Sequence, residues 1–240
     1  MILPGGRTIN CAHRGASGQA PENTLGALER AIALGATMAE IDVRLTADGR
    51  LAVIHDAGCE RTTNGRGRVA DLTMAALAAL DAGSWFDAAW CDEPVPELGQ
   101  VLDLARGRLA LNIELKPDGR PQAMLDELLR QLAGHVDGRE CVVTSFDAGL
   151  IDALKARAPQ QAAGHIFGRD ELPEWAFSAK VEVISAEKSL VDAAFCEFAT
   201  AAGKSVHVWT VDEPAAMRRL MDLGVDAIIT NHPERFPGPR

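Results

Sequence analysis

Residues 39–45 read Ala-Glu-Ile-Asp-Val-Arg-Leu. In an extended chain successive side chains point to opposite faces, so Glu40 and Asp42 share one face while Ile41 and Val43 take the other. Asn112-Ile113-Glu114-Leu115-Lys116 repeats the arrangement, again with polar groups spaced by two. Around these stretches further β-rich runs recur, and the full set is Thr8–Ala12, Ala39–Val43, Leu109–Leu115, Cys141–Ser145, Ala162–Phe167, Val181–Ser185, Val206–Thr210 and Asp226–Thr230, with helical stretches between them. Strand and helix alternating along one chain is the pattern of a parallel α/β protein. Eight strands in 240 residues predict a closed (β/α)8 TIM barrel forming a single domain over residues 1–240. An open flavodoxin-like or Rossmann sheet is the competing arrangement.

The intervening helices carry start and stop signals. Asn23 is expected to cap a helix whose Leu25, Leu28 and Ile32 share a face, with Gly35 at its end. Asp212 is expected to cap another, with Pro214 in its first turn and Gly224 just beyond it. A third begins at Pro121 and lines up Met124, Leu125, Leu128, Leu129 and Leu132 as an apolar stripe.

Two places break the alternation. Ala39–Leu45 and Leu51–Asp56 flank Asp48-Gly49, the usual chemistry of a tight hairpin turn, so paired residue numbers should sum to about 96. That register sets Ile41 opposite His55 and Glu40 opposite Asp56. Residues 57–108 form the second break, with Gly65, Gly67, Trp85, Phe86, Trp90, Pro94 and Pro96, and read as a small insertion over the barrel mouth.

Composition narrows the partners. Lys and Arg number 24 against 34 Asp and Glu, a net charge of −10, which denies the chain the broad cationic surface that nucleic acid binding needs. No run of about 18 apolar residues exists to span a membrane, and the N-terminus lacks a signal-peptide core, so a cytoplasmic location is expected. The five cysteines, Cys11, Cys59, Cys91, Cys141 and Cys196, are scattered singly and read as reduced thiols. Oligomeric state leaves no mark in the sequence.

A barrel strand turns its apolar side to the helices, which directs Glu40, Asp42, Glu114 and Lys116 towards the axis. Three converging carboxylates repel one another unless a cation or protons compensate them. An all-oxygen set suits a hard ion, Mg²⁺ or Ca²⁺. The alternative is that each carboxylate makes a separate ion pair, for instance with Lys116 or Arg44. His13-Arg14-Gly15 follows the first strand and His55-Asp56 ends the hairpin arm, so both histidines fall at the C-terminal mouth where barrel enzymes place their chemistry. Two imidazoles beside one acidic site suit proton transfer to and from reacting oxygens. Arg14 and Lys116 supply donors for an oxyanion. His135, His165, His207 and His232 are assigned structural roles. Metal phosphohydrolases of the HD type also carry a His-Asp pair, but on a helix, whereas this one ends a β-run.

The ordered set His13-Arg14-Gly15, Pro21-Glu22-Asn23-Thr24, Glu40-Ile41-Asp42-Val43, His55-Asp56, Glu114-Leu115-Lys116 and Trp209 resembles the glycerophosphodiester phosphodiesterases from Ala12 to Thr230-Asn231-His232-Pro233. The resemblance implies a TIM barrel with a short insertion after the His-Asp pair. It implies a divalent cation on Glu40, Asp42 and Glu114, an acid/base pair of His13 and His55, phosphate contacts from Arg14 and Lys116, and Trp209 on the glycerol side of the pocket. It also implies a small-molecule substrate, cleaved to sn-glycerol 3-phosphate and an alcohol. Read from the residues alone, Trp209 fits equally an aromatic plug in the core. Where the family often has Asn-Pro after the sixth strand, this chain has Ile184-Ser185-Ala186, so no substrate contact is carried over there. Ser145-Phe146-Asp147 is read as scaffold and Thr62-Thr63-Asn64-Gly65 as a turn supporting His55. Three alternatives stay open: a lysophospholipase D or phospholipase C-like enzyme, a noncatalytic glycerophosphodiester-binding barrel, and a metal-dependent aldolase or isomerase barrel.

Overall fold

Every predicted β-run forms a strand in the computed structural model, which describes residues 8–135, 141–169 and 175–237. The strands are β1 (Ile9–His13), β2 (Met38–Leu45), β3 (Leu51–Val53), β4 (Ala110–Leu115), β5 (Cys141–Ser145), β6 (Ala163–Phe167), β7 (Val183–Glu187), β8 (Ser205–Trp209) and β9 (Ala227–Thr230). Each of β1, β2, β4, β5, β6, β7, β8 and β9 pairs in parallel with the next, and β9 closes on β1 through Asn10↔Ile228 and Cys11↔Ile229. The result is a closed barrel of eight parallel strands, a TIM barrel. Residues 1–7, read above for the missing signal-peptide core, and the His135 side chain lie outside what is described.

Strand β3 lies outside the closed ring, antiparallel to β2. Its pairs Val43↔Val53, Arg44↔Ala52 and Leu45↔Leu51 each sum to 96, the register that Asp48-Gly49 sets. The Ile54 amide donates to the Asp42 carbonyl at 3.0 Å and continues that register toward His55.

The α-helices among the described residues are α1 (Leu25–Ala33), α2 (Met74–Ala78), α3 (Leu98–Ala105), α4 (Pro121–His135), α5 (Ala148–Arg157), α6 (Trp175–Ser178), α7 (Ala193–Ala201) and α8 (Pro214–Asp222). The outward strand residues Ile41, Val43, Ile113 and Leu115 pack against Leu98, Leu102, Leu125 and Leu128 of α3 and α4, all essentially fully buried. Inside the ring Cys11, Met38, Val142, Val183 and Ile229 form a separate apolar cluster that fills the barrel below the site. Between β3 and α3 the chain forms 3-10 turns at Val69–Asp71 and Ala88–Trp90 and the short α2, and the first turn and α2 share a core of Ile54, Cys59, Val69, Leu77 and Val95. The end of the 57–108 stretch, α3, belongs to the helix layer.

Two expected caps are placed differently. Thr24, not Asn23, caps α1: its Oγ1 accepts from the Ala27 amide at 3.1 Å. Asn23 sits at φ 61°, a conformation asparagine tolerates, and turns its amide into the barrel. Helix α8 starts from Glu213 with Pro214 in its first turn and no side-chain cap, so the Asp212 carboxylate reaches across to β9 instead. Gly15 has φ +77° and sits where a Cβ would come 2.7 Å from Ala27, so only glycine allows β1 to turn this closely over α1.

Candidate active site

The inward faces of β2 and β4 place Glu40, Asp42 and Glu114 so that one carboxylate oxygen of each lies within 4.8 Å of the others, all three side chains being buried. Asp42 is fixed by Asn23, whose Nδ2 donates to Asp42 Oδ2 at 2.8 Å while its Oδ1 accepts from the Asp42 amide at 3.2 Å. Two cations answer the three acids. Lys116 Nζ lies 3.2 Å from Asp42 Oδ1 and also binds Glu114 Oε1. Arg14 Nε lies 3.3 Å from Asp42 Oδ2, and the Arg14 amide donates to Glu40 Oε2 at 3.0 Å.

The protonation pattern follows from that shortfall of positive charge. Burial, then Asp42 and Glu114, push the Glu40 carboxyl well above its ordinary range. Burial and Asp42 push Glu114 up to about 7. Burial works against ionised Asp42 too, but Lys116 and Arg14 outweigh it and hold Asp42 low. Glu40 Oε1 is buried without a hydrogen-bond partner. An orphaned buried carboxylate oxygen, all-oxygen donors and one excess negative charge together fit a hard divalent cation.

Both sequence-predicted histidines line the same pocket as Arg14, Glu40, Glu114 and Lys116. The Nδ1 of His13 is 2.7 Å from Asn231 Oδ1, and its Nε2 is 3.9 Å from Glu40 Oε2. Burial, then Arg14, lower its pKa. His55 is held through Nδ1 by Asp56 Oδ1 at 2.5 Å, and its carbonyl accepts from Arg44 Nε at 2.7 Å. Burial lowers its pKa despite the nearby Asp42 and Asp56 carboxylates.

Arg61, from the stretch after β3, grips Asp56 Oδ2 through Nε at 2.5 Å and Glu22 through two bonds of 2.8 Å. Glu22 also accepts from Arg14 at 2.8 Å. One guanidinium thus ties the partner of His55 to the partner of Arg14. Glu22 and Asn23 appear in the sequence motif quoted above, but nothing in local spacing marks Arg61 as their companion.

The later strands supply the opposite wall: Phe146, Ile166, Ser185, Trp209 and Ile229. Trp209 therefore faces the pocket at the strand end rather than plugging the core. Phe146, read as scaffold, is 53% exposed at the mouth, and Lys116 Nζ lies 5.8 Å from its ring centroid. Its place immediately after a barrel strand was the available signal. Ser185, on the strand from which no family contact was carried over, also lines the pocket. The other described histidines stay outside the lining: His165 packs on Trp175 at 5.0 Å, His207 is wholly buried, and His232 pairs with Glu234 at 3.1 Å.

Comparison with known proteins agrees with this geometry. The model of the glycerophosphoryl diester phosphodiesterase family matches residues 13–235. The glycerophosphodiester phosphodiesterase of Caldanaerobacter subterraneus subsp. tengcongensis is 34% identical over 232 residues, 95% of this chain and 96% of that protein. An Oleispira antarctica phosphodiesterase, solved in complex with its product sn-glycerol-3-phosphate, superimposes with a TM-score of 0.90 at 30% identity, covering 98% of this chain and 96% of that one. The glycerophosphodiester phosphodiesterase of Agrobacterium tumefaciens gives a TM-score of 0.84 at 31% identity, over 96% of this chain and 98% of its own.

Proposed function

The chain belongs to the glycerophosphoryl diester phosphodiesterase family and is an enzyme, and we propose that it hydrolyses glycerophosphodiesters to sn-glycerol 3-phosphate and a free alcohol by metal-assisted acid/base catalysis. The observation that carries this reading is the convergence of His13, His55, Arg14, Lys116 and buried carboxylates on one pocket.

Arg14 and Lys116 are donors for the non-bridging phosphoryl oxygens, Arg14 as a fork and Lys116 as a point charge. Glu40, Asp42 and Glu114 would hold Mg²⁺ or Ca²⁺, which would supply positive charge against the build-up on those oxygens. His13 and His55 share the proton work: one takes a proton from the attacking oxygen and the other protonates the departing alkoxide. Trp209 and Phe146 offer an apolar wall to the carbon face of glycerol, and the leaving alcohol points to the open mouth. No described helix is long and apolar enough to cross a membrane. The substrate in this reading is a free small molecule, and the singly scattered cysteines support a cytoplasmic location.

The test is release of sn-glycerol 3-phosphate from a panel of glycerophosphodiesters with choline, ethanolamine and glycerol head groups, with and without chelator. Release that stops on chelation is expected. Tight binding of the panel without release would overturn this reading of the reaction.

A further inference from the structure

His13 is held from the far end of the chain. Its Nδ1 meets Asn231 Oδ1 at 2.7 Å, and the Ser17 hydroxyl donates to the same oxygen at 2.9 Å. Asn231 in turn rests on Asp212: its Nδ2 donates to Asp212 Oδ2 at 2.8 Å and its amide to Asp212 Oδ1 at 2.9 Å. Thr230 Oγ1 adds a third donor to Asp212 at 3.0 Å. The sequence casts Asp212 as a helix cap, yet α8 begins without its side chain. This carboxylate is therefore committed to the strand that carries Asn231.

The hydrogen-bond directions leave one assignment. An ionised carboxylate only accepts, so the Asn231 amide must turn its NH₂ toward Asp212 and its oxygen toward His13. Turned over, it would set its oxygen against the Asp212 carboxylate, two acceptors with no proton between them. With Asn231 Oδ1 facing it, His13 Nδ1 must carry the proton. A neutral imidazole protonated at Nδ1 has its lone pair on Nε2, the nitrogen near Glu40 in the pocket.

We propose that Asp212 and Asn231 are positioning residues for the reaction: Asp212 fixes the orientation of the Asn231 amide, and Asn231 fixes His13 in the tautomer that presents an unprotonated Nε2 to the substrate. The catalytic consequence rests on the proposed function, whereas the tautomer itself does not.

Asp212→Asn removes the obligate acceptor. The new amide can keep its oxygen on Thr230 and the residue 231 backbone and offer its NH₂ to Asn231, which then turns over and donates to His13 Nδ1. Combining Asp212→Asn with Asn231→Asp restores every direction. Residue 212 then donates, residue 231 accepts on both sides, and His13 again keeps its proton on Nδ1.

Histidine labelled with ¹⁵N distinguishes the tautomers by chemical shift at alkaline pH, in protein supplied with Mg²⁺ and, separately, Ca²⁺. The expected results are an Nδ1–H His13 in the wild type and an Nε2–H form in Asp212→Asn. In Asp212→Asn kcat should fall on the order of 10²-fold with KM changed less than about threefold, the signature of a mispresented base. In the double variant both the Nδ1–H tautomer and most of the lost kcat should return. A His13 that stays Nδ1–H with unchanged kcat in Asp212→Asn overturns the proposal, as does a double variant with no recovery. If Asp212→Asn fails to fold, the tautomer and kcat of the double variant decide alone. Because the tautomer is read without substrate, a wild-type protein that hydrolyses no glycerophosphodiester would defeat the functional reading while the spectrum still judges the positioning.

Discussion

The rings of Phe146 and Trp209 meet edge to face at the pocket mouth, with centroids 5.8 Å apart and planes at 85°. One ring follows β5 and the other ends β8, so a contact across the barrel joins the two sides of the apolar wall. Edge-to-face pairs contribute about 0.5–1.5 kcal/mol beyond area burial, and losing either ring frees the other from the wall that faces the substrate, so Phe146→Ala and Trp209→Ala should each raise KM by about 2- to 13-fold. The double variant should cost less than the product of the two. Trp209→Ala should act alike on several glycerophosphodiesters and leave the choice among head groups nearly unchanged. Steady-state kinetics over a substrate panel check this. A loss confined to one head group would move Trp209 to the alcohol side of the pocket.

Metal dependence gives the second prediction. Exhaustive chelation should abolish activity, with recovery on adding Mg²⁺ or Ca²⁺. Glu114→Gln should weaken cation binding, measured by calorimetry, without loss of cooperative unfolding. Full activity in a chelated, metal-free preparation would defeat the assignment.

Replacing His13 or His55 by Ala should each lower kcat by roughly 10²- to 10⁴-fold, the usual worth of a positioned acid or base. Removing both should cost far less than the product, since groups acting as a unit are not additive. Single-turnover rates on the three variants test this. Wild-type turnover in His55→Ala would mean that the hairpin delivers the wrong residue.

Arg61 binds Asp56 and Glu22 at once, a task for a planar fork. Arg61→Ala should lower kcat/KM about 10-fold or more, and Arg61→Lys should recover little because one ammonium cannot reproduce two forked contacts. Added guanidinium should rescue the Ala variant preferentially. Equal activity of the Lys variant and the wild type would reduce Arg61 to a bulk charge.

His207 gives a stability prediction. The ring is fully buried without a partner, and burial lowers its pKa to about 4. A lowered folded-state value means that the unfolded chain binds the proton first, so this stabilisation is intact above the unfolded value of about 6.5 and is lost as pH falls toward 4. Complete loss amounts to about 3 kcal/mol. Urea unfolding from pH 7 to 4.5 should show a shallower decline for His207→Leu than for the wild type. Parallel curves would show that His207 does not titrate on unfolding.

The fold was legible because the strand code is local: the alternation of residues 39–45 and 112–116 gives faces, and Asp48-Gly49 gives register. That register carries His55 to the site, and the inward faces carry Glu40, Asp42 and Glu114. Asn23 and Asp212 show where local reading fails. Asn and Asp are good helix caps because their side chains accept from nearby amides, and the same chemistry serves a partner on the neighbouring strand. Which use prevails depends on what closure of the barrel brings within 3 Å, and spacing does not encode that. The failure at Phe146 is similar: a lone aromatic after a strand reads as packing until the opposite strand places Trp209 against it.

The pocket draws His13, Arg14, Glu40, His55, Asn112, Glu114 and Lys116 from the first half of the chain, and Phe146, Ile166, Ser185, Trp209 and Ile229 from the second. In the proposed function, the residues assigned to hydrolysis and those assigned to substrate shape therefore fall in separate halves of the chain. Half-barrel chimaeras joined between α4 and β5 would exchange substrate preference while keeping the reaction, and the second half is free to diversify under selection for new diesters. Several ties cross the seam, among them Asn231 in the last segment with His13 and Ser17 in the first, and Phe146 with Lys116. Recombination that ignores the pair of Asn231 and His13 would yield barrels that fold and bind yet turn over slowly.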